Sequence, residues 1–583
     1  MSEIKQELAA PWRGQYGKIP ATLTYPEATM YELMVKSKEA TPDAIALEFM
    51  GKNTTYREFV HQVEQTANAF LAMGVKENDR VTISMPNTPQ AIAAFYALNR
   101  IGAIANMIHP LSAPGEILFA MNLAKSSVIL TLDKFVPNVT EIIAQLDRPA
   151  KVIVARISDA LPQPKKILFA MLKERKQTPV PKSPQYIMWN DFIARGASHP
   201  ATPPSKKDYR EEAVILYSGG TTGTNKGIRL SSANFNATAF QTVAASGYHV
   251  YKFKLLAVMP IFHGFGLGVS IHTALINSCT AILMPQFNLK TYATNLRDKK
   301  PDIIAGVPTL YQALLKAEDL KNADLSFLKG MFSGGDTLSI ELKRKVDAFL
   351  RERGAKIQVR EGYGSTETVT ATCLTPPDQY REGSIGIPYP DMYFKVVKPG
   401  TTDELPLGED GEICVTGPSL MLGYLDNPEE TADAIKVHAD GHSWLHSGDL
   451  GKIDEDGFIY FLQRIKRMIV ASGYNIYPSQ IENIIEQCPK VMQSCVIGVP
   501  DEYRMRKIKA FVALRPEFKG QEEAAKTEIM ALCTKNIAKY AMPAEIEFRD
   551  ELPKTLVGKV AYRVLEEEEA VKRGEVPPSA QDE

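Results

Sequence analysis

Short β-branched runs alternate with longer helical patterns from the N-terminus to about residue 460, and this alternation restricts the fold more than any other feature. VTISMP (81–86) predicts a strand, TPQAIAAFYALNRIG (88–102) a helix, and ANMI (105–108) a second strand. The same order recurs between residues 255 and 306. Strands and helices in this order favour parallel sheets covered by helices, so we predict an α/β fold.

The chain length requires more than one domain, because 583 residues exceed the size at which a single hydrophobic core stops growing. From about residue 385 the pattern changes to short strands separated by Gly and Asp turns, and a small α+β region begins near residue 466. We therefore predict a large N-terminal domain over 1–465, with parallel βαβ sheets and a small β-rich subdomain. A small α+β C-terminal domain is predicted over 466–583.

Charge and cysteine usage exclude some partners and compartments. The net charge of −1 provides no overall field for nucleic acid, and no arginine-rich arm or basic repeat occurs, so nucleic acid is not an expected partner. Scattered cysteines without a CxxC pair indicate free thiols in a reducing compartment. The N-terminus lacks an apolar signal segment, which predicts a cytoplasmic protein. The cysteines are Cys279, Cys373, Cys414, Cys488, Cys495 and Cys533.

Residues 255–289 contain no Asp, Glu, Lys or Arg. A membrane-spanning helix needs roughly 20 apolar residues, but this stretch is interrupted by Pro260, Gly264, Gly266 and Pro285. We therefore expect a buried strand, a turn and a helix rather than a membrane span.

Residues 161–184 resemble an insertion, and within its part 161–176 basic side chains surround the apolar run 167–172. A basic amphipathic segment of this kind can lie on a membrane surface. The alternative is a surface helix packed on its own domain, and the sequence leaves both open.

The strongest local motif is VILYSGGTTGTNKGIR (214–229), a β-branched strand followed by a loop rich in Gly, Ser and Thr. Glycines let backbone N–H groups close around phosphate oxygens, and a lysine offsets the negative charge. The usual P-loop is excluded, because Asn225 precedes Lys226 and Gly227 follows it. A plain linker is the alternative. The predicted phosphate-binding residues are Ser218, Gly219, Gly220, Thr221, Thr222, Gly223 and Lys226, with Thr222 also predicted to be catalytic.

Six further motifs follow in a fixed order. They are PIFHGFG (260–266), GYGSTET (362–368), GEICVTGPSLMLGYLDNP (411–428), HSGDLGKIDEDGFIYFLQRIKRMI (446–469), SGYNIYPSQIE (472–482) and PKTLVGKVAYR (553–563). With the loop motif, they make the chain resemble the adenylate-forming superfamily of acyl-CoA synthetases, luciferases and nonribosomal peptide synthetase adenylation domains. The resemblance runs from about Thr55 to Arg563 and is strongest to fatty acyl-CoA synthetases.

The resemblance implies an ATP site with Mg²⁺ held by Glu367, which suits an ion bound through one or two carboxylates and phosphate oxygens. Tyr363 would stack on adenine, Asp449 would bind the ribose hydroxyls, and Arg464 would contact ribose and phosphate. Further nucleotide contacts are implied for Gly335, Asp336, Gly364, Ser365 and Thr366. Asp336 departs from the family pattern, which usually has Ala there.

The resemblance also implies a two-step reaction with a mobile C-terminal domain. Lys559 would bridge the substrate carboxylate and the α-phosphate, and His263 would lie beside that carboxylate. The C-terminal domain would then rotate about Lys466. After rotation, Gly473 and Tyr474 would line the tunnel for the pantetheine arm of coenzyme A.

These features predict an ATP-dependent carboxylic acid–CoA ligase that uses ATP, Mg²⁺ and coenzyme A. The carboxylate-free stretch 255–289 indicates a medium- or long-chain fatty acid and argues against an amino acid. The alternatives left open are a fatty acyl-AMP ligase that loads an acyl carrier protein and an aryl or bile acid–CoA ligase. A non-catalytic nucleotide-binding protein is disfavoured, because Lys226, Glu367, Asp449, Arg464 and Lys559 are all present.

Overall fold

A computed structural model describes residues 7–200, 202–219, 225–471, 474–501, 505–537, 541–555 and 559–574. The strands are β1 (Ile45–Phe49), β2 (Lys52–Thr55), β3 (Arg80–Ser84), β4 (Ile104–Met107), β5 (Val128–Leu132), β6 (Lys151–Ala155), β7 (Tyr186–Met188), β8 (Glu212–Gly219), β9 (Asn225–Ser231), β10 (Lys254–Ala257), β11 (Thr280–Leu283), β12 (Ile303–Gly306), β13 (Gly330–Ser333), β14 (Val359–Tyr363), β15 (Cys373–Leu374), β16 (Ile387–Pro388), β17 (Tyr393–Val397), β18 (Gly411–Thr416), β19 (Gly423–Tyr424), β20 (Ile435–Val437), β21 (Ser443–Ile453), β22 (Ile459–Arg464), β23 (Ile469–Ala471), β24 (Tyr474–Ile476), β25 (Val491–Asp501), β26 (Met505–Leu514) and β27 (Glu545–Arg549).

The helices alternate with these strands. They are α1 (Met30–Ala40), α2 (Tyr56–Ala72), α3 (Pro89–Arg100), α4 (Pro114–Leu123), α5 (Val136–Ile142), α6 (Lys165–Leu172), α7 (Trp189–Gly196), α8 (Ser232–Ser246), α9 (Thr273–Ile276), α10 (Leu289–Lys299), α11 (Pro308–Leu315), α12 (Ile340–Glu352), α13 (Pro428–Ala434), α14 (Pro478–Ile485), α15 (Glu522–Asn536) and α16 (Tyr562–Lys572).

Two large sheets form the first part of the chain. One has eight strands in the order β19-β9-β8-β4-β3-β5-β6-β7, and the other has nine in the order β16-β15-β14-β13-β12-β10-β11-β1-β2. The pairs from β8 through β4, β3, β5 and β6 to β7 are parallel, as are those linking β1, β11, β10, β12, β13 and β14. The predicted α/β fold is confirmed. Helix α3 is buried along its whole length because other parts of the fold cover it.

A smaller antiparallel sheet follows the two large ones. It has the order β17-β18-β21-β20, and β22 pairs with the C-terminal part of β21. The β21–β22 register places Asp449 opposite Arg464, which brings two predicted nucleotide-binding residues together across one pair of strands. This sheet corresponds to the β-rich subdomain predicted from the sequence.

The chain after residue 468 forms a hairpin of β23 and β24 and a three-stranded sheet of β25, β26 and β27. Its helices α14 and α15 contribute to a hydrophobic cluster made only of residues after 468, including Ile481, Val512 and Ile529. A separate core of this kind is what an α+β C-terminal domain requires. The boundary between residues 465 and 466 stays a prediction.

The uncharged stretch 255–289 forms β10, a loop, a π-helical segment over Phe265–His272, α9 and β11. Every residue of the π-helical segment is buried. The expected strand, turn and helix are confirmed, but the helix begins with π rather than α geometry. Such geometry is rare and occurs mostly at functional sites. Among the described residues, no helix has the length and apolar character needed to cross a membrane.

Helix α6 lies within the inserted segment and exposes most of its apolar side chains. Phe169 packs against the main core. Four neighbours, by contrast, are 57–62% exposed: Ile167, Leu168, Met171 and Leu172. A hydrogen bond of 3.3 Å from Lys165 to the Met50 carbonyl also holds it, so the segment is a surface helix with an apolar surface left facing solvent.

Candidate active site

Three side chains that the sequence assigns to adenine and ribose lie together. The Tyr363 hydroxyl donates a hydrogen bond of 2.6 Å to Oδ2 of Asp449, and Nε of Arg464 lies 2.9 Å from Oδ1. Burial raises the pKa of Asp449, and the nearby Arg464 charge opposes that rise. Oδ1 is buried, and apart from this ion-pair contact it accepts no hydrogen bond. It therefore has capacity for a donor such as a ribose hydroxyl.

Glu367 lies in the short 3₁₀ turn Thr366–Thr368 that follows β14. Its Oε1 accepts a hydrogen bond of 3.0 Å from the Tyr424 hydroxyl, and the Ser218 hydroxyl lies 3.5 Å from the same oxygen. The carboxylate is partly exposed beside the end of the phosphate-loop strand β8. This position suits a ligand for Mg²⁺ next to phosphate oxygens.

Lys226 lies at the other end of the loop motif and is held by two contacts. Its ammonium group pairs with Glu430 and lies 5.0 Å from the centre of the Tyr424 ring. Burial lowers the pKa of Lys226, whereas the negative charge of Glu367 raises it. Lys226 is therefore close to Glu367. If Lys226 binds a phosphate, its ammonium group would leave Glu430 and pair with the phosphate.

The backbone after Glu367 is strained. Val369 has φ of +65°, a value that β-branched residues rarely adopt, and its side chain is fully buried. A Cβ at Gly264 would lie 1.6 Å from the Val369 carbonyl oxygen, and one at Gly364 would lie 1.7 Å from the Thr370 oxygen. The PIFHGFG and GYGSTET motifs thus interlock at a contact that only glycine permits. Strain of this type is common at functional sites.

Lys559 projects from a hairpin of the C-terminal region into this group of residues. The hairpin is closed by a bridge between Lys554 and Val560, and the Thr555 hydroxyl accepts a hydrogen bond of 3.1 Å from the Lys559 N–H. Burial lowers the pKa of Lys559, while Asp336 and Asp449 raise it. The structure therefore brings Lys559 within electrostatic reach of the nucleotide residues.

His263 and Asp336 both lie within electrostatic reach of Lys559. Burial, assisted by the Lys559 charge, lowers the pKa of His263 to about 4, so the imidazole is neutral near pH 7. Its Nδ1 accepts a hydrogen bond of 3.1 Å from the Phe265 N–H. Asp336 is exposed to solvent within the cleft, yet desolvation raises its pKa against the effect of Lys559. Asp336 is thus a charge partner for Lys559, which the usual Ala would not be.

An apolar cavity of about 30 Å³ lies between α8, the π-helical segment and the nine-stranded sheet. Val269, Ala305 and Phe332 line it and also belong to the apolar cluster around Phe265. Half of its fourteen lining residues come from the stretch 255–289, where the sequence predicts an apolar lining: Leu255, Leu256, Val269, Ser270, Thr273, Ala274 and Cys279.

The remaining predicted site residues lie on turns and at strand ends or fall outside the described residues. Gly335, with φ of +79°, and Ser365 and Thr366 lie on the two turns that flank Tyr363. Gly219 ends β8, and Tyr474 begins β24. Gly220, Thr221, Thr222, Gly223 and Gly473 lie outside the described residues.

The proposed hinge has a well-defined environment. Lys466 is exposed in the 3₁₀ turn Ile465–Arg467 between β22 and β23. Arg467 in the same turn pairs with Glu482 at 2.6 Å. The Glu482 carboxylate also accepts a hydrogen bond from the Val496 N–H. The charge of Arg467 is therefore neutralised within the C-terminal region.

Two supporting residues were not predicted from the sequence. One lies within a motif, and the other lies outside all of the motifs. Tyr424 contacts both Glu367 and Lys226, and its place in GEICVTGPSLMLGYLDNP is the signal that could have identified it. Asn87 follows β3 and holds the PIFHGFG loop through hydrogen bonds to Ala257, Met259 and Ile261. No sequence pattern points to Asn87, because its partners lie about 170 positions away.

Comparison with known proteins supports the same grouping of residues. The AMP-binding enzyme family matches residues 35–425, and the C-terminal domain of AMP-binding enzymes matches residues 480–559. A long-chain-fatty-acid–CoA ligase of Bacillus subtilis is 33% identical over 564 residues, covering 96% of this chain and 98% of the relative. A ligase of the same name from Escherichia coli is 31% identical, with 96% and 98% coverage.

Solved structures show the same architecture. ATP-bound MatB from Rhodopseudomonas palustris is 26% identical with a TM-score of 0.78, covering 92% of this chain and 98% of that one. An anthranilate CoA ligase in complex with anthranoyl-AMP has a TM-score of 0.82 at 24% identity, with 96% and 99% coverage, which supports the fold alone. Family match, full-length relatives and fold agree, and the chain therefore belongs to the AMP-binding enzyme family.

Proposed function

We propose that the chain is an AMP-forming fatty acid–CoA ligase that acts on long-chain acids. In the first step, a carboxylate oxygen attacks the α-phosphorus of ATP, and pyrophosphate leaves. In the second step, the thiolate of coenzyme A attacks the acyl carbon, and AMP leaves. The full-length relatives named above support the reaction, and the apolar cavity lined in part by the π-helical segment is the observation that carries the choice of acid.

The polar residues can supply what the first step needs. Two reacting groups, a carboxylate and a triphosphate, are both anionic, so the site must offset charge as the bond forms. Lys559 would hold the carboxylate against the α-phosphate, and Arg464 would contact the nucleotide from the side of Asp449. His263, neutral near pH 7, can donate or accept a hydrogen bond without repelling Lys559.

Mg²⁺ and coenzyme A complete the proposed set of ligands. Glu367 would hold Mg²⁺ beside the phosphate loop, because its carboxylate is partly exposed next to Ser218. Coenzyme A would reach the acyl carbon along the segment that contains Gly473 and Tyr474. The placement of Lys559 corresponds to the first step, so the C-terminal region would rotate about Lys466 before the second.

A long acyl chain would occupy the cavity only after its lining moves. A volume of about 30 Å³ holds a few atoms, so Phe332 and Val269 must change rotamer as the chain enters. Each buried CH₂ contributes roughly 0.8 kcal/mol, so longer chains should repay this rearrangement up to the end of the tunnel. Short acids would leave part of the opened cavity unfilled.

We further propose that the segment 161–176 of the insertion touches a membrane from which the acid is drawn. Ile167, Leu168, Met171 and Leu172 form the exposed apolar surface of α6. Lys165, Lys166 and Lys173 flank it and suit anionic headgroups. Vesicle co-sedimentation should be lost in Leu168→Ser/Met171→Ser, with anionic vesicles bound more strongly than neutral ones. Equal binding by wild type and this variant would contradict the contact.

The function is tested by measuring pyrophosphate, AMP and thioester with a panel of acids. We expect kcat/KM to rise several-fold for each added pair of carbons from about four to about sixteen carbons. Benzoate, coumarate and cholate should be poor substrates. A flat series with an aryl or steroid acid preferred would support the aryl or bile acid ligase instead.

The acceptor needs its own measurement. Free coenzyme A should be consumed in the amount of AMP released. Acyl-adenylate that accumulates with free coenzyme A, but is discharged by an acyl carrier protein, would identify an acyl-AMP ligase. Release of ADP in place of AMP would contradict both assignments.

A further inference from the structure

A group of three metal-ligating side chains lies in the small antiparallel sheet, away from the proposed Mg²⁺ ligand. Cys414 on β18 and His446 on β21 are directly opposite each other in the strand register, and His438 immediately follows β20. The cysteine sulfur and one ring nitrogen from each histidine all lie within 4.8 Å of one another. Cys414 and His438 are at most 4% exposed.

The histidine rings are oriented as metal ligands usually are. Nδ1 of His446 lies 3.0 Å from the Glu412 carboxylate, which favours a proton on Nδ1 and a free lone pair on Nε2. That Nε2 atom faces Nε2 of His438 at 3.0 Å. The other nitrogen of His438, Nδ1, is buried and has no hydrogen-bond partner. A buried polar atom without a partner is costly, and a metal ion bound through Nδ1 of His438 would give this atom the partner it lacks.

The charges nearby permit a cation. Lys395 lies opposite Cys414 on β17, but its ammonium group pairs with Asp440 at 2.7 Å. Glu412 adds a negative charge behind His446. One thiolate and two imidazoles are the ligand set that Zn²⁺ accepts in tetrahedral geometry, with water in the fourth position. The three ligand atoms already lie within 4.8 Å of one another, and they would move closer together to reach that geometry.

We infer that Cys414, His438 and His446 bind one Zn²⁺ ion, which ties the edge strand β20 to β18 and β21. The same Glu412 carboxylate that holds His446 also accepts a hydrogen bond of 3.1 Å from the Gly448 N–H, next to Asp449. The ion therefore fixes the side chain that supports the loop carrying the proposed ribose ligand. This inference concerns a separate site and does not rest on the proposed function.

Cobalt substitution tests the site directly. The full-length protein, stripped by a chelator and titrated with Co²⁺, should bind one ion per chain with a sulfur-to-cobalt charge-transfer band and four-coordinate visible bands. Zn²⁺ should displace Co²⁺ and protect residues 435–446 from hydrogen exchange. Cys414→Ser should abolish the charge-transfer band, and Glu412→Gln should weaken Zn²⁺ binding about 10- to 100-fold.

Matched variants separate binding from folding. Cys533→Ser replaces another buried cysteine, on α15, and should keep the band and the affinity. If Cys414→Ser does not fold, His438→Gln decides, because glutamine can keep a hydrogen bond to His446. Binding by His438→Gln as tight as wild type, a band that persists in folded Cys414→Ser, or no stoichiometric Co²⁺ would each overturn the inference.

Discussion

The two ends of the candidate site are built from different interactions. At the nucleotide end, Asp449 is fixed by a hydrogen bond from Tyr363 and by the charge of Arg464. At the end proposed to hold the acyl chain, Val269, Ala305 and Phe332 line a small cavity through apolar contacts alone. Directional bonds define where an atom must lie, whereas apolar contacts define only a volume.

This difference explains which part of the function can vary. Displacing Asp449 would leave Arg464 or Tyr363 without its partner, and a buried polar group without a partner costs about 1–3 kcal/mol. Changing an apolar side chain in the lining removes or adds volume without breaking a bond. We therefore expect substitutions at the nucleotide end to affect every acid equally, and those at the acyl end to change the preferred acid.

The largest effect should follow Lys559→Ala, which removes the cation within electrostatic reach of Asp449 and His263. Adenylation of all acids should fall about 10²–10³-fold, measured as pyrophosphate release. Thioester formation from added acyl-adenylate should survive. Lys554→Ala, an exposed lysine on the same hairpin, is the control and should remain active. Equal loss of both steps in Lys559→Ala would refute separate roles for the two placements of the C-terminal region.

Asp449→Asn should be next in size. The substitution removes the charge beside Arg464 while keeping an oxygen for Tyr363, so KM for ATP should rise about 10- to 100-fold from a lost charged hydrogen bond. The preference among acids should not change. Asp403→Asn, on an exposed turn of the same subdomain, should have no effect. A change in acid preference in Asp449→Asn would contradict the hypothesis that the two ends of the site act independently.

Lys466→Pro should affect the second step alone. Residues of a 3₁₀ turn such as Ile465–Arg467 generally have φ near the value that proline fixes. Proline would restrict the backbone on rotation, and a penalty of about 1.4 kcal/mol slows that step tenfold. Pyrophosphate release in a single turnover should be unchanged, while thioester formation slows. Lys466→Ala controls for loss of the charge. If both steps slow together in a folded protein, the hinge lies elsewhere.

Ala305→Leu should change specificity by a smaller amount. The added side chain shortens the cavity by the length of a few methylene groups, and each lost CH₂ contact lowers kcat/KM about fourfold. Long acids should therefore lose activity while short acids and KM for ATP stay constant. A uniform loss for all acids would show that the cavity does not hold the acyl chain.

The smallest effect is expected in the pH profile of His263→Gln. Because burial lowers the pKa of His263 to about 4, the imidazole is protonated only below that pH and is neutral from about pH 5 to 8. The rate of adenylation can change in this variant, but the shape of its profile between pH 5 and 8 should not. His61→Gln, at an exposed histidine, is the control. A step near pH 6.5 that disappears with His263 would contradict the depressed pKa.

Sequence patterns predicted the repeated elements because those elements depend on neighbours along the chain. The run 81–86 gives β3, 88–102 gives α3, and the change of pattern near residue 385 corresponds to the antiparallel sheet. The absence of charge over 255–289 predicted a buried segment for the same reason. Motif order alone placed the chain in its family, which the family matches confirm.

The sequence by itself determined the strand and helix order, the family and the candidate residues, since local spacing and residue type encode all three. Only the tertiary structure decided which partners those residues have. Tyr363 and Asp449 are 86 positions apart, and Lys226 meets Glu430 across a still longer separation. The π-helical geometry after His263 and the positive φ of Val369 likewise come from packing between distant segments. Contacts of this kind depend on how sheets and loops pack against each other in three dimensions, which local sequence patterns do not specify.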